Sequence, residues 1–292
     1  MDRLGRAMRS EAGRGYALIA PPLLYAILLL ALPMAAVLVI SFWTQDFLTL
    51  TPGFSLANYR EALTDPINVF LLGRSIRIAL LATLATVILA FPVAYYVSFH
   101  VRPERKALWI FLVTIPFWTS YLLRAFLWKV ILGFNGVINS GLTGLGIIDA
   151  PVTFLLYNAN AVVITLAHAF APFAILPIFV ALERIDRALL EAARDLGETP
   201  IMTFLRVTLP LAMPGVVGAI LIVFIPTVGD YVTPELVGGN DGRMIANRIQ
   251  ALFLQLNDTP LGAALSIVAM AAVTALSLLL LLVTRKWLRG PG

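Results

Sequence analysis

The chain has 292 residues, 60% hydrophobic and only 13% charged, against about 25% charged in an ordinary soluble domain. That balance defines an integral membrane protein. The absence of cysteine and the wide separation of the two histidines, His100 and His168, argue against disulfide, thiol and metal chemistry. The net charge of +5 comes from arginines beside apolar runs, a membrane-topology pattern rather than the basic stripe of a nucleic-acid binder.

Arg3, Arg6, Arg9 and Arg14 precede an uncharged run from Gly15 to Gln45. This run exceeds the roughly 20 residues needed to cross a bilayer and is too long for the apolar region of a signal peptide. It is read as an uncleaved first span over 16–43, with Pro21 and Pro22 at its start. Asp46 to Arg77 is too polar to span and holds a short surface helix. The second span is 78–99. Its row Ala82, Thr86, Ala90, Ala94 and Ser98 reads as a packing seam that lets helices approach closely, in preference to a substrate-lining face. The third span, 107–132, carries Arg124 and Lys129. Lys129 is read as snorkelling to the interface, whereas Arg124, preceded by Phe117, Trp118 and Tyr121, either packs or faces a pathway.

Gly133 to Pro151 is loop-like. The fourth span, 152–182, contains Pro172 and Pro177, expected to bend it, and His168, read as a packing histidine because no carboxylate shares its span. The fifth and sixth spans are 211–228 and 261–284, separated by a long segment from Gly229 to Pro260 and closed by Arg285, Lys286 and Arg289. The predicted organisation is an all-α membrane protein: a tail over 1–15, a six-span domain over 16–284 including the loop 183–210, and a tail over 285–292. Fourteen Arg and Lys residues lie on the side of the termini and that loop, five on the other, so the positive-inside rule places the termini and the loop in the cytoplasm. The opposite face holds eight acidic residues against its five basic ones, a balance that suits a cationic solute.

The loop 183–210 is a polar island. Ile185, Leu189, Ala192, Ala193 and Leu196 recur at helical spacing, and the opposite-sign pairs Arg187 with Glu191 and Arg194 with Glu198 fall four apart. Gly197 ends this helix through a left-handed residue, and Thr199-Pro200 supplies the cap and first position of a second. That second helix carries Ile201, Phe204 and Leu205 and is expected to end before Pro210. Two short helices around a glycine elbow form a knob for a groove on a soluble partner.

Glu191-Ala192-Ala193, Gly197 and, nine residues on, Val207-Thr208-Leu209-Pro210 resemble the EAA signature of membrane subunits of binding-protein-dependent ABC importers, with valine where isoleucine is commoner. Pro116-Phe117-Trp118-Thr119-Ser120, Asn135-Gly136-Val137-Ile138-Asn139, Gly229-Asp230-Tyr231 and Pro234-Glu235-Leu236-Val237-Gly238-Gly239 are similar to the spermidine/putrescine-type permeases. The resemblance implies a type I ABC importer permease in a bacterial inner membrane, paired with a second permease, two ATPase subunits and a soluble substrate-binding protein. It implies alternating access, with polyamines or related small organic cations as cargo. ATP and Mg would be bound by the ATPase partners, with no cofactor in this chain, and coupling would fall to Glu191, Ala192, Ala193, Asp195, Gly197, Leu209 and Pro210.

The residues agree with an ATP-driven permease lacking its own nucleotide site. Lys106, Lys129 and Lys286 all fall outside any Gly-Lys-Ser/Thr sequence. An ion-coupled secondary transporter would be expected to show internal repeats and intramembrane acids, and neither is found. A membrane scaffold would have no use for the knob. Trp118, Tyr121, Arg124, Asp230, Tyr231 and Glu235 are the candidate pathway residues. The competing expectation is that Asp230 and Glu235 are loop acids paired with Arg243 or Arg248.

Overall fold

The computed structural model describes residues 11–47, 49–155 and 157–288. Arg3, Arg6, Arg9 and Arg289, which enter the charge count above, lie outside the described residues. The described residues are mostly helical. In order the chain forms α1 (Glu11–Ala26), a π turn (Ile27–Ala31), α2 (Leu32–Ile40), β1 (Thr44–Asp46), β2 (Thr49–Thr51), α3 (Ala57–Thr64) and α4 (Pro66–Phe99). Next come α5 (Pro103–Thr114), a 3-10 turn (Ile115–Trp118), α6 (Tyr121–Leu132), α7 (Val137–Gly144), a 3-10 turn (Thr153–Leu155), α8 (Ala159–Glu183) and α9 (Arg187–Asp195). The last elements are α10 (Pro200–Thr203), a π turn (Phe204–Thr208), α11 (Leu209–Val228), a π turn (Pro234–Gly238), α12 (Ile245–Leu254) and α13 (Thr259–Leu288). Among the described residues, six stretches are long and apolar enough to cross a membrane: Leu18–Ile40, Pro66–Phe99, Tyr121–Gly144, Ala159–Glu183, Pro200–Val228 and Thr259–Trp287.

The chain divides into two compact units. One takes the residues up to Asp65 with Leu252–Val268. Its first span is helical from Glu11, so Pro21 and Pro22 lie inside α1 and not at the helix start. A β1–β2 hairpin pairs Gln45 with Leu50, and α3 is the surface helix expected here. Asn58 Nδ2 ties α3 to the carbonyls of Ser41 and Trp43 at 2.9 and 2.8 Å, and Phe42 stacks on Phe54 with ring centres 4.9 Å apart. Gln45 donates to the Asn257 carbonyl and accepts from the Thr259 amide at 3.1 Å.

The other unit takes Pro66–Ala251 with residues from Ala269 onward. Its core lies where α4, α8 and α11 pack. The predicted seam is buried to the last residue: Ala82, Thr86, Ala90, Ala94 and Ser98 are each 1% exposed or less. Lipid chains are as apolar as leucine, so close backbone approach, here through Ala90 and Ala94 against Ala174, Ile178 and Val216, supplies the packing that water-driven burial would supply elsewhere.

Several predicted boundaries move. The second span begins at Pro66, twelve residues before Ile78. Proline suits a first helical position, Asp65 before it is extended as a residue preceding proline should be, and Arg74 is held in the helix by the Asn240 carbonyl at 3.0 Å and the Phe70 ring. The third span is not one helix over 107–132. The chain narrows to a 3-10 turn around Pro116, becomes extended at Thr119 and Ser120, and restarts at Tyr121. The predicted loop 133–151 contains α7, organised by buried Asn139, which bridges the Gly133 carbonyl and the Val152 amide. The fourth span starts at Ala159, where Asn158 caps the amides of Asn160 and Ala161. His168 accepts a 3.1 Å hydrogen bond from the Trp128 indole, the packing role expected of it.

Candidate functional site

The knob forms as a helix, an elbow and a helix. Asp186 caps α9 by accepting from the Ala188 amide at 3.0 Å. At the other end, Glu198 N donates to Ala193 O at 3.1 Å and Gly197 N to Arg194 O at 2.9 Å. This is the Schellman pattern, which places its left-handed residue at Gly197, and the φ there is 85°. Thr199 Oγ1 then accepts from the Met202 amide at 3.3 Å, with Pro200 at the first helical position, as the sequence predicts.

Two expectations fail. The second helix does not end before Pro210: α10, the π turn and α11 run on as one helical stretch over Pro200–Val228. Leu209 N donates to Phe204 O, one residue further back than in an α-helix, and this wider turn relieves the clash that a proline ring otherwise makes with the preceding carbonyl. Leu209 and Pro210 therefore belong to the fifth span. The charge pairs also rearrange. Glu198 binds Arg206 at 2.6 Å across the elbow instead of Arg194, and Arg187 turns to the Ser98 carbonyl instead of Glu191.

Of the candidate coupling residues, Ala193 is buried inside the knob, whereas Glu191, Ala192, Asp195 and Gly197 are exposed. Around them the knob presents a collar of apolar side chains: Leu189, Leu196, Ile201, Met202 and Leu205 are 40–86% exposed. The predicted apolar face of α9 is thus only partly used within this chain, at Ile185 and Ala193.

The second cluster joins residues 109 apart. Tyr121 opens α6, and its hydroxyl donates to Asp230 Oδ2 at 2.5 Å and lies 2.6 Å from Thr233 Oγ1. Asp230 Oδ1 accepts from the amides of Val232 and Thr233 at 3.0 and 3.5 Å. Asp230 is only 9% exposed, yet among the described residues no Arg or Lys is ion-paired with it. The expected pairing with Arg243 or Arg248 is not formed, and Arg248 reaches Asn68 at 3.4 Å instead. Asn247 donates to the Tyr231 carbonyl at 2.9 Å and to Glu235 at 3.4 Å.

Arg124 lies one turn from Tyr121, with its guanidinium carbon 5.9 Å from the ring centre. It is buried, donates to the Ala169 carbonyl at 3.3 Å, and leaves Nε without a partner among the described residues. Trp118 stands apart from this cluster and is 78% exposed. Thr233 and Asn247 belong to the cluster, but sequence reasoning missed them because no spacing distinguishes them from other loop polar residues.

The segment from Gly229 folds back into the protein, as its glycines and prolines predict. Val237 packs against Ile78, Leu132 and Val162. Gly239 has a φ of 56°, and a Cβ there would collide with the Tyr157 carbonyl.

Six apolar helices of membrane-spanning length among the described residues, with a polar helical knob and a buried carboxylate beside a broken helix, mark a membrane-embedded protein. The sequence matches the family described as "Binding-protein-dependent transport system inner membrane component" over residues 18–289, and the chain belongs to that family as the permease subunit of an ABC importer of the bacterial inner membrane. It is 37% identical to the spermidine/putrescine transport system permease protein PotB of Escherichia coli K12, over 83% of this chain and 88% of that one. The inner membrane ABC transporter permease protein YdcU of the same organism is 35% identical over 78% and 76% of the two chains. A solved bacterial ABC transporter importing the acidic polysaccharide alginate has the same fold, with a TM-score of 0.74, 98% and 99% coverage and 18% identity.

Proposed function

We propose that this permease imports polyamines or related small organic cations, delivered by a soluble binding protein and driven by an ATPase dimer bound to the knob. The observation that carries the cargo reading is Asp230. A buried carboxylate is costly unless paired, and this one is held by a tyrosine hydroxyl and two amides, with no Arg or Lys among the described residues ion-paired to it. An ammonium group entering beside it supplies the missing counter-charge, in surroundings where attraction is stronger than in water. Tyr121 and Tyr231 offer aromatic faces to the same cation, and the relatives named for spermidine and putrescine agree with that chemistry. The collar around Glu191 and Gly197 carries the energetic reading, because an exposed apolar patch rimmed by charge marks a protein interface. ATP binding and hydrolysis lie in the partners. A second permease completes the pathway, which opens to alternate sides as partner binding shifts the populations of its two states. The termini and knob face the cytoplasm.

The test is uptake by the complex reconstituted with its binding protein, ATPase and second permease. Asp230→Asn keeps the shape and removes the charge. Spermidine or putrescine uptake is expected to fall by about tenfold or more, the scale of one charge-assisted hydrogen bond, with subunit assembly unchanged. Wild-type uptake, or a cargo that proves anionic, would overturn the cation pathway.

A further inference from the structure

Three helix ends meet at one carboxylate, and a fourth joins them through a shared serine. Glu183 is the last residue of α8, and its Oε1 accepts 2.6 Å hydrogen bonds from Lys106 Nζ, in the first turn of α5, and from Ser98 Oγ, at the end of α4. The backbone carbonyl of the same Ser98 accepts from Arg187 Nη2 at 3.1 Å. Arg187 is the first residue of α9, and its guanidinium carbon lies 5.8 Å from the Phe99 ring centre. A continuous polar path, Lys106 to Glu183 to Ser98 to Arg187, therefore fastens the knob to three other helices.

The dipole of α8 does not favour a carboxylate at position 183. The C-terminus of a helix is the negative end of its dipole, where an acid is unfavourable and a cation favourable. Nor is this an ordinary surface pair, because the side chains of Lys106 and Glu183 are only 13% and 34% exposed, so solvent screens them less than the free pairs that contribute little. Ser98 occupies the last place of the buried seam, and among the described residues its hydroxyl is used on Glu183 alone. We propose that Glu183 is a positioning residue for energy coupling: with Lys106, Ser98 and Arg187 it forms a latch that fixes the angle of α9 against α4, α5 and α8. Movement of the knob then reaches these helices as one displacement and is not lost in the short 184–186 link. This rests on the reading of the knob as the ATPase dock.

The experiment measures cargo taken up per ATP hydrolysed, in the complex reconstituted with its binding protein and spermidine. Glu183→Gln and Lys106→Gln are expected to assemble and hydrolyse ATP but to lower that ratio by about tenfold, within the usual range for coupling between sites. The exchange Glu183→Lys with Lys106→Glu restores the pair and is expected to recover most of the ratio, which a loss of bulk stability would not do. Ser98→Ala, a small buried change, is expected to lower the ratio without altering assembly and serves if the exchanged protein fails to insert. A wild-type ratio in Glu183→Gln, or two assembled single variants whose exchange recovers nothing, would overturn the latch. Ile201→Asp is run alongside. If it leaves ATPase association intact, the docking reading itself fails; if it abolishes association while Glu183→Gln stays coupled, only the latch fails.

Discussion

A valine at position 197 would place a branched side chain on a backbone whose φ is 85°. A Cβ there meets nothing within 4 Å, so the penalty is conformational, about 1–2 kcal/mol, and relaxes by turning α10 out of line with α9. Gly197→Val is expected to insert normally but to lose most cargo-stimulated ATP turnover; normal turnover in purified complex would sink the elbow's role. Trp118 poses the opposite case. Its side chain is 78% exposed at the end of the 3-10 turn between α5 and α6, so Trp118→Ala removes little packing from this chain. The variant is expected to assemble at wild-type yield and to need several-fold more cargo for half-maximal uptake, as loss of an aromatic cation contact predicts. Unchanged uptake per assembled complex would exclude a pathway role.

Among the elements, the helices interrupted near prolines differ most from their sequence expectation. Pro33 and Pro210 each follow a π turn, Ile27–Ala31 and Phe204–Thr208; Pro33 lies within the expected first span, whereas at Pro210 the helix continues where proline alone reads as a stop. Pro210→Ala restores a backbone donor, so the π turn can relax to an α turn. Rewinding the same residues from i→i−5 to i→i−4 bonding shifts the phase by about one residue, about 100°, between the knob and α11. The expected outcome is a higher Tm with a lower ratio of uptake to ATP hydrolysed; a coupled, unshifted variant would show that the wide turn is passive. Spans, seam, elbow and caps were legible because each rests on local periodicity or on one residue's conformational preference. Length misled where polar residues found distant partners, as Arg74 did at Asn240. The meeting of Tyr121 with Asp230, and of Ser98 with Glu183, was not legible at all, since contacts between helices 85 to 109 residues apart leave no trace in spacing.

For the whole molecule, orientation in the bilayer is directly measurable, because the absence of cysteine gives single-cysteine variants no background. Leu196→Cys on the knob and Leu256→Cys beyond α12 are both well exposed, at 86% and 57%. With a membrane-impermeant maleimide on spheroplasts, Leu256→Cys is expected to label at once and Leu196→Cys only after permeabilisation. The reverse pattern would invert the topology. One further consequence follows from α4, whose 34 residues extend about 50 Å at 1.5 Å per residue, well beyond a hydrocarbon core of about 30 Å. Ser75, the tenth residue of α4, accepts from the Ile245 amide at 2.6 Å and stands about 35 Å along the axis from Ser98, with Pro92 between them; the two anchored points share one helix, and its internal proline is where that helix bends.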